Sequence, residues 1–250
     1  MKRIRIILEV LIDSVDAARA AHDGGADRLE LCQNLFEGGT TPSAGLIEAV
    51  VASVPLPVQV MLRPRGGDFC YTPAEFDVLQ RDLAVARRAG AAGVVFGLLR
   101  PDGSLDAPRC AELLAATGTL SVTFHRAFDM ARDPFSALES LIAIGVPRVL
   151  TSGQEASAFE GAELIAELVR RAAGRIIVMP GGGIRERHVK RVLAQTGATE
   201  VHISASGSVT STMEFRNPRV PMGRELRAPE FSWNSVDATR VRAYRDLIDG

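Results

Sequence analysis

Val58-Gln59-Val60-Met61-Leu62-Arg63, followed closely by Thr72-Pro73-Ala74-Glu75, decides the fold of this chain. The first stretch alternates along a short strand. The second is a capping box: Thr72 can accept from the Glu75 N–H, Glu75 can reach back, and Pro73 suits a first helical position. A helix running towards Ala89 follows, and another β-branched run starts at Gly93. Strand, helix and strand at this spacing form a unit whose strands are parallel, because a parallel pair needs a long crossover. Working outward in both directions, candidate strands begin near Ile4, Arg28, Val58, Gly93, Leu120, Arg148, Arg175 and Glu200, at intervals of 24 to 35 residues. Eight units fill the 250 residues with no gap for a second domain. The expectation is an α/β protein with one domain over residues 1–250, closed into a (β/α)8 TIM barrel. An antiparallel sandwich would place strands about every 8–12 residues with no helices between them. A doubly wound open sheet is the alternative, but it usually carries a glycine-rich turn after its first strand. Here that position reads Glu9-Val10-Leu11-Ile12-Asp13.

Helix boundaries agree with this count. Ser14 can cap a helix that stops at Gly24-Gly25, and Asp133-Pro134 opens one that Gly145 closes. From about 215 to 232 periodicity is lost and Pro218, Pro221 and Pro229 intervene. This predicts an irregular loop before a last helix from about Asn234 to Ile248.

Composition removes several function classes. With 29 Lys+Arg against 30 Asp+Glu and no basic run, nothing marks a nucleic-acid or anionic-membrane partner. No apolar stretch is long enough for a membrane span. Glu9 and Asp13 interrupt the apolar N-terminus, so a signal peptide is not expected. Three widely spaced cysteines, Cys32, Cys70 and Cys110, argue against a disulfide framework. The reading is a cytoplasmic protein.

Strand parity then selects the lumen residues. Leu8 and Val10, Leu29 and Leu31, Val58 and Val60, Val122 and Phe124, and Val201 and Ile203 should face the helices. The opposite parity puts Glu9, Glu30, Cys32, Arg63, His125, His202 and Ser204 inside, mostly near strand C-terminal ends, where this fold carries its sites. A structural polar layer would explain the same pattern, since these charges could balance one another.

The loops add further groups. Arg63-Pro64-Arg65-Gly66-Gly67-Asp68 brings two guanidinium groups suited to a carboxylate or phosphate. His125, Arg126 and Asp129 form a compact set: His125 as acid or base, Asp129 or Glu30 setting its tautomer, Arg126 steadying an oxyanion. Ser152 ends the sixth strand with a hydrogen-bonding group, Gly181-Gly182-Gly183 follow the seventh, and Ser204-Ala205-Ser206-Gly207 follow the eighth. Glycines there make the usual phosphate cradle of a barrel, although a tight turn with no ligand would look the same. Cys32, Met61, His125 and His202 are soft or borderline ligands on lumen faces and could suit Cu(I), but no CxxC or HxH spacing accompanies them. No nucleotide cofactor is implied.

At these residues the chain resembles the CutC family. The matching segments are Gly25-Ala26-Asp27-Arg28-Leu29-Glu30-Leu31-Cys32, Glu37-Gly38-Gly39-Thr40-Thr41-Pro42-Ser43, Arg63-Pro64-Arg65-Gly66-Gly67-Asp68-Phe69, Thr123-Phe124-His125-Arg126-Ala127-Phe128-Asp129, Leu150-Thr151-Ser152-Gly153-Gln154 and Phe215-Arg216-Asn217. The resemblance implies a cytoplasmic TIM barrel, a homodimer or higher homo-oligomer, and a role in copper homeostasis with copper ion binding. One position departs: where the family often has a cysteine after the first-strand Leu-Glu-Val, this chain has Leu11. A copper site using that thiol with Cys32 loses a ligand.

Two readings follow. One is a copper-binding protein holding Cu(I) through Cys32 with His125 or His202. The other is an enzyme doing acid–base chemistry (isomerase, lyase or hydrolase) on a small phosphorylated or carboxylated metabolite. In it Glu9, Glu30, His125 and Asp129 move protons, and Arg63, Arg65, Arg126, Ser152, Gly182, Gly183 and Ser204 bind the anion. The only lysines are Lys2 and Lys190, neither at a strand end, so Schiff-base chemistry is not expected.

Overall fold

The computed structural model describes residues 5–215 and 232–250. The strands are β1 (Ile7–Ile12), β2 (Arg28–Leu31), β3 (Val58–Met61), β4 (Gly93–Phe96), β5 (Ser121–Phe124), β6 (Arg148–Thr151), β7 (Ile177–Pro180) and β8 (Glu200–Ile203). They form one parallel sheet in the order β8-β1-β2-β3-β4-β5-β6-β7. β7 lies against β8 and completes the cylinder, so the fold is the (β/α)8 barrel. The helices that follow the first seven strands are α1 (Val15–Gly24), α2 (Ala44–Ser53), α3 (Pro73–Arg88), α4 (Ala107–Thr117), α5 (Pro134–Ile144), α6 (Ala162–Ala172) and α7 (Glu186–Thr196).

Local chemistry sets the helix ends. Ser14 Oγ accepts from the Ala17 N–H at 3.1 Å, and α1 stops where Gly25 takes φ 91°. Both halves of the Thr72–Glu75 capping box are made. Asp133 caps α5 through the Phe135 and Ser136 N–H groups, with Pro134 at its start.

The structure differs from expectation after β8. Ser206–Thr210, read as turn and loop, is a strand (β9) paired antiparallel with β10 (Ser232–Val236), and only then comes α8 (Ala238–Asp249). Asn234 therefore lies in a strand, and the last helix begins four residues later, capped by Asp237 through the Thr239 N–H. The Ser206-Gly207-Ser208 segment has no apolar alternation, so nothing in it announced a strand. The expected irregular loop over about 215–232 falls almost wholly outside the described residues. Among the described residues no helix is long and apolar enough to cross a membrane.

The main core lies between strands and helices, where Leu8, Val10, Leu29, Leu31, Val60, Phe96, Phe124 and Val201 are buried. The lumen is polar. Near the strand starts, Arg28 bridges Glu9 and Glu200, and Arg148 Nε lies 2.7 Å from Glu200 Oε2 and reaches Ser121 and Thr123. This charged floor supports the mouth.

Candidate functional site

The C-terminal mouth holds a cavity of about 250 Å³. Its walls bring together Glu30, Arg63, His125, Arg126, Gly182, Gly183, His202 and Ser204 from the loops and ends of five strands. Among the described residues, three of the four non-glycine positions with positive φ, Asn34, Gln154 and Ala205, lie on mouth loops. Backbone held in such conformations clusters at functional sites.

One wall is carboxylate and imidazole. His202 Nδ1 lies 2.8 Å from Glu9 Oε1, and its Nε2 is 3.7 Å from Glu30 Oε2. Burial alone would raise the Glu9 carboxyl, but the His202 hydrogen bond and the Arg28 guanidinium hold it down at about 2. Burial would lower His202, yet Glu30 and Glu9 raise it. Glu30 moves the other way: burial and the Glu9 charge push it up to about 7, despite His202. Two glutamates a few ångströms apart thus have opposite characters, one locked as an anion and one able to hold or release a proton near neutrality. Glu30 Oε1 has no hydrogen-bond partner among the described residues, while Oε2 accepts from the Cys32 thiol at 3.7 Å.

The opposite wall is His125. The Ala127 N–H donates to Nδ1 at 3.1 Å, which leaves the ring proton on Nε2. Nε2 is buried and meets no partner among the described residues. Burial and the neighbouring Arg63 charge push His125 down to about 3, so the ring is neutral. Gly97 makes the placement possible, because a Cβ there would come within 2.5 Å of Nδ1. Phe69 packs on the other side with ring centroids 5.0 Å apart.

The third corner is cationic. Arg126 is held by Asp129 (Nε to Oδ2, 2.8 Å) and Ser152 (Nη2 to Oγ, 2.8 Å). Its guanidinium lies against Gly182, where φ is 96° and an added Cβ would sit 3.1 Å from Cζ. Tyr244 on α8 donates to the Ile184 carbonyl at 2.8 Å and pins the end of this loop.

Several residues named from sequence stand elsewhere. Asp129 does not touch His125. It accepts from Thr151, Ser152, Gln154 and Arg126, and so builds the β6 loop instead of setting a tautomer. Ser152 lies behind Arg126 in that network. Arg65 turns away to Glu75, Asp68 and the Cys70 carbonyl. Arg63 reaches the mouth, but donates to the carbonyls of Glu37, Gly39 and Gly67, so it staples two loops and supplies charge. Glu9 lies beneath the cavity and works through His202. Sequence reasoning left out Arg28, Arg148 and Glu200, which hold Glu9 and the floor. Arg28 shares the parity of Glu30, and Glu200 that of His202, so the signal was there.

A Cu(I) site can be tested on the donors. Cys32 packs with Met61, Val95 and the apolar Leu11. Burial and Glu30 push its thiol well above the ordinary range, which keeps the proton on sulfur. His125 Nδ1 is already committed to Ala127. Glu9, Glu30 and His202 bring donor atoms within 4.8 Å of one another, but this set is rich in oxygen and Arg28 already neutralises part of it. Cu(I) favours thiolate and thioether. These residues do not fit a resident Cu(I) site.

The sequence pattern of the CutC family matches residues 6–207. The chain is 52% identical over 236 residues to the copper homeostasis protein cutC homolog of Homo sapiens, covering 94% of this chain and 86% of that protein. It is 48% identical over 245 residues to the family protein CutC of Parabacteroides distasonis, covering 98% and 100%. The crystal structure of a copper homeostasis protein CutC from Streptococcus agalactiae superposes with a TM-score of 0.75 at 31% identity, over 79% of this chain and 97% of that one. With the family pattern spanning most of the barrel and relatives near half identity over nearly its whole length, this chain belongs to the CutC family.

Proposed function

We propose that this protein is an enzyme of acid–base chemistry acting on a small phosphorylated or carboxylated metabolite in the mouth cavity. One observation carries the reading: Glu30 and His125 line the same cavity, and each has a buried polar atom, Oε1 and Nε2, with no partner among the described residues. Unsatisfied buried polar atoms are costly, on the order of 1–3 kcal/mol each, and a pair of them facing one cavity is complementary to a ligand. Arg126 with the Gly182–Gly183 loop supplies the anion corner, and His202, hydrogen-bonded to Glu9, tunes Glu30. Glu30 is the group that exchanges protons, while neutral His125 donates a hydrogen bond.

A copper-homeostasis role, carried by the names of relatives, is the second reading. The observation in its favour is the adjacency of Cys32 and Met61, a soft pair in one buried cluster.

Thermal denaturation of the purified protein separates the two, with inorganic phosphate and sugar phosphates in one arm and Cu(I) under reducing conditions in the other. At about 100-fold above Kd a ligand adds roughly 2.7 kcal/mol, a shift of a few degrees. The enzyme reading expects stabilisation by phosphorylated compounds that disappears in Arg126→Ala. Stabilisation by Cu(I) alone, lost in Cys32→Ser, would overturn it in favour of the copper reading.

A further inference from the structure

We propose that the step performed in this cavity is enolisation: removal of a proton from the carbon beside a carbonyl in a short phosphorylated hydroxy-aldehyde or hydroxy-ketone. The inference rests on the acid–base reading above and names its substrate class and step.

His125 presents a neutral N–H at Nε2, because the Ala127 N–H occupies Nδ1. Gly97 and Phe69 hold the ring in place, so the donor is aimed before a ligand arrives. A fixed neutral donor suits an oxygen that is uncharged in the ground state and gains charge in the transition state. Glu30 has one carboxylate oxygen with no donor among the described residues. A base and a hydrogen-bond donor facing one small space are what abstraction of a proton next to a carbonyl needs. The anion corner at Arg126 and Gly182 then orients the far end of the substrate, as a phosphate would require.

Other steps fit worse. Hydrolysis between two carboxylates needs both to face the ligand, but Glu9 is tied to Arg28 and His202 in the floor beneath the cavity. Imine formation needs a lysine, and the chain has only Lys2 and Lys190. The cavity, about 250 Å³, is sized for a compact substrate.

The balance is simple. The carbon–hydrogen bond breaks and its proton passes to Glu30 Oε1. The electron pair moves into the adjacent carbon–carbon bond, and the carbonyl π pair goes to the oxygen held by His125. Return of the proton to the same carbon gives exchange with solvent. Return to the neighbouring carbon, with the hydroxyl proton moving to the first oxygen, gives the isomer. No oxidant or reductant enters.

The test follows deuterium incorporation by proton NMR in D2O, with dihydroxyacetone phosphate, D-erythrose 4-phosphate and D-ribulose 5-phosphate as probes. Stabilisation by inorganic phosphate is measured on the same samples. Loss of the proton signal beside the carbonyl in at least one probe is expected, with Glu30→Gln slowing it roughly 100-fold or more. Glu30→Gln should still be stabilised by inorganic phosphate, which shows that it is folded. Stabilisation by phosphate with no exchange on any probe overturns enolisation and leaves the anion-site reading standing. Neither stabilisation nor exchange overturns both. Exchange undiminished in Glu30→Gln overturns Glu30 as the base.

Discussion

Glu9 on β1 and His202 on β8 are register partners where the last barrel strand pairs with the first, and His202 Nδ1 lies 2.8 Å from Glu9 Oε1 although the residues are 193 apart in sequence. One contact thereby ties the pairing of the first and last strands to the chemistry of the mouth, because the same imidazole faces Glu30.

Glu9→Gln should therefore destabilise the fold strongly. It leaves Arg28 with Glu200 as its remaining carboxylate and removes one of the two carboxylates, Glu30 and Glu9, that raise His202. Breaking a buried pair typically costs about 3–5 kcal/mol. Urea unfolding should show that loss, and NMR titration should show His202 shedding its proton at lower pH. A cost under about 1 kcal/mol would mean that the floor is indifferent to this charge.

The pH dependence of stability should split between the two walls. His125 is neutral in the fold, held at about 3 against an ordinary 6.5, so its contribution is present above pH 6.5 and lost as pH falls towards 3. Glu30 is held at about 7 against an ordinary 4.5, so its contribution is present below pH 4.5 and lost as pH rises through 7. Between pH 4.5 and 6.5 the two oppose each other. Urea unfolding across that window should give a steeper fall with pH for His125→Gln than for wild type, and a steeper rise for Glu30→Gln. Equal slopes in all three proteins would contradict the burial argument.

Gly182→Ala should damage anion binding more than stability. At φ 96° an alanine is strained by roughly 1–2 kcal/mol, and its Cβ presses on the Arg126 guanidinium. Gly174→Ala is the matched control, with φ 77° and open space around its Cβ. Both variants should lose similar stability, whereas only Gly182→Ala should lose stabilisation by phosphate. Equal phosphate shifts would remove the β7 loop from the site.

Cys32→Ala should leave phosphate stabilisation intact and cost about 1–2 kcal/mol, the scale of a small buried group removed from a packed cluster. Wild type should surrender Cu(I) to a strong Cu(I) chelator as readily as the variant does. Retention by wild type alone would show a copper site where the thiol is otherwise held protonated.

The barrel was legible from residues 58–96 outward, because capping, glycine stops and the two side-chain periods are local properties of the chain. Parity selected the lumen residues for the same reason, and placed Glu30, His125 and His202 on one inner surface. The ribbon of β9 and β10 was not legible, since each strand is defined only by a partner more than twenty residues away.

What tertiary structure alone decided is which polar atoms remain free. Asp129 and His125 sit four residues apart and were read as a pair, yet the β6 loop claims the carboxylate through Thr151, Ser152 and Gln154. Arg63 and Arg65 looked equivalent, but loop carbonyls engage one and Glu75 turns the other away. A strand determines which way its side chain points. The partner that side chain meets comes from loops on other strands, so only the assembled barrel separates the fully committed groups from Glu30 Oε1, His125 Nε2 and Arg63 Nε, which find no partner among the described residues.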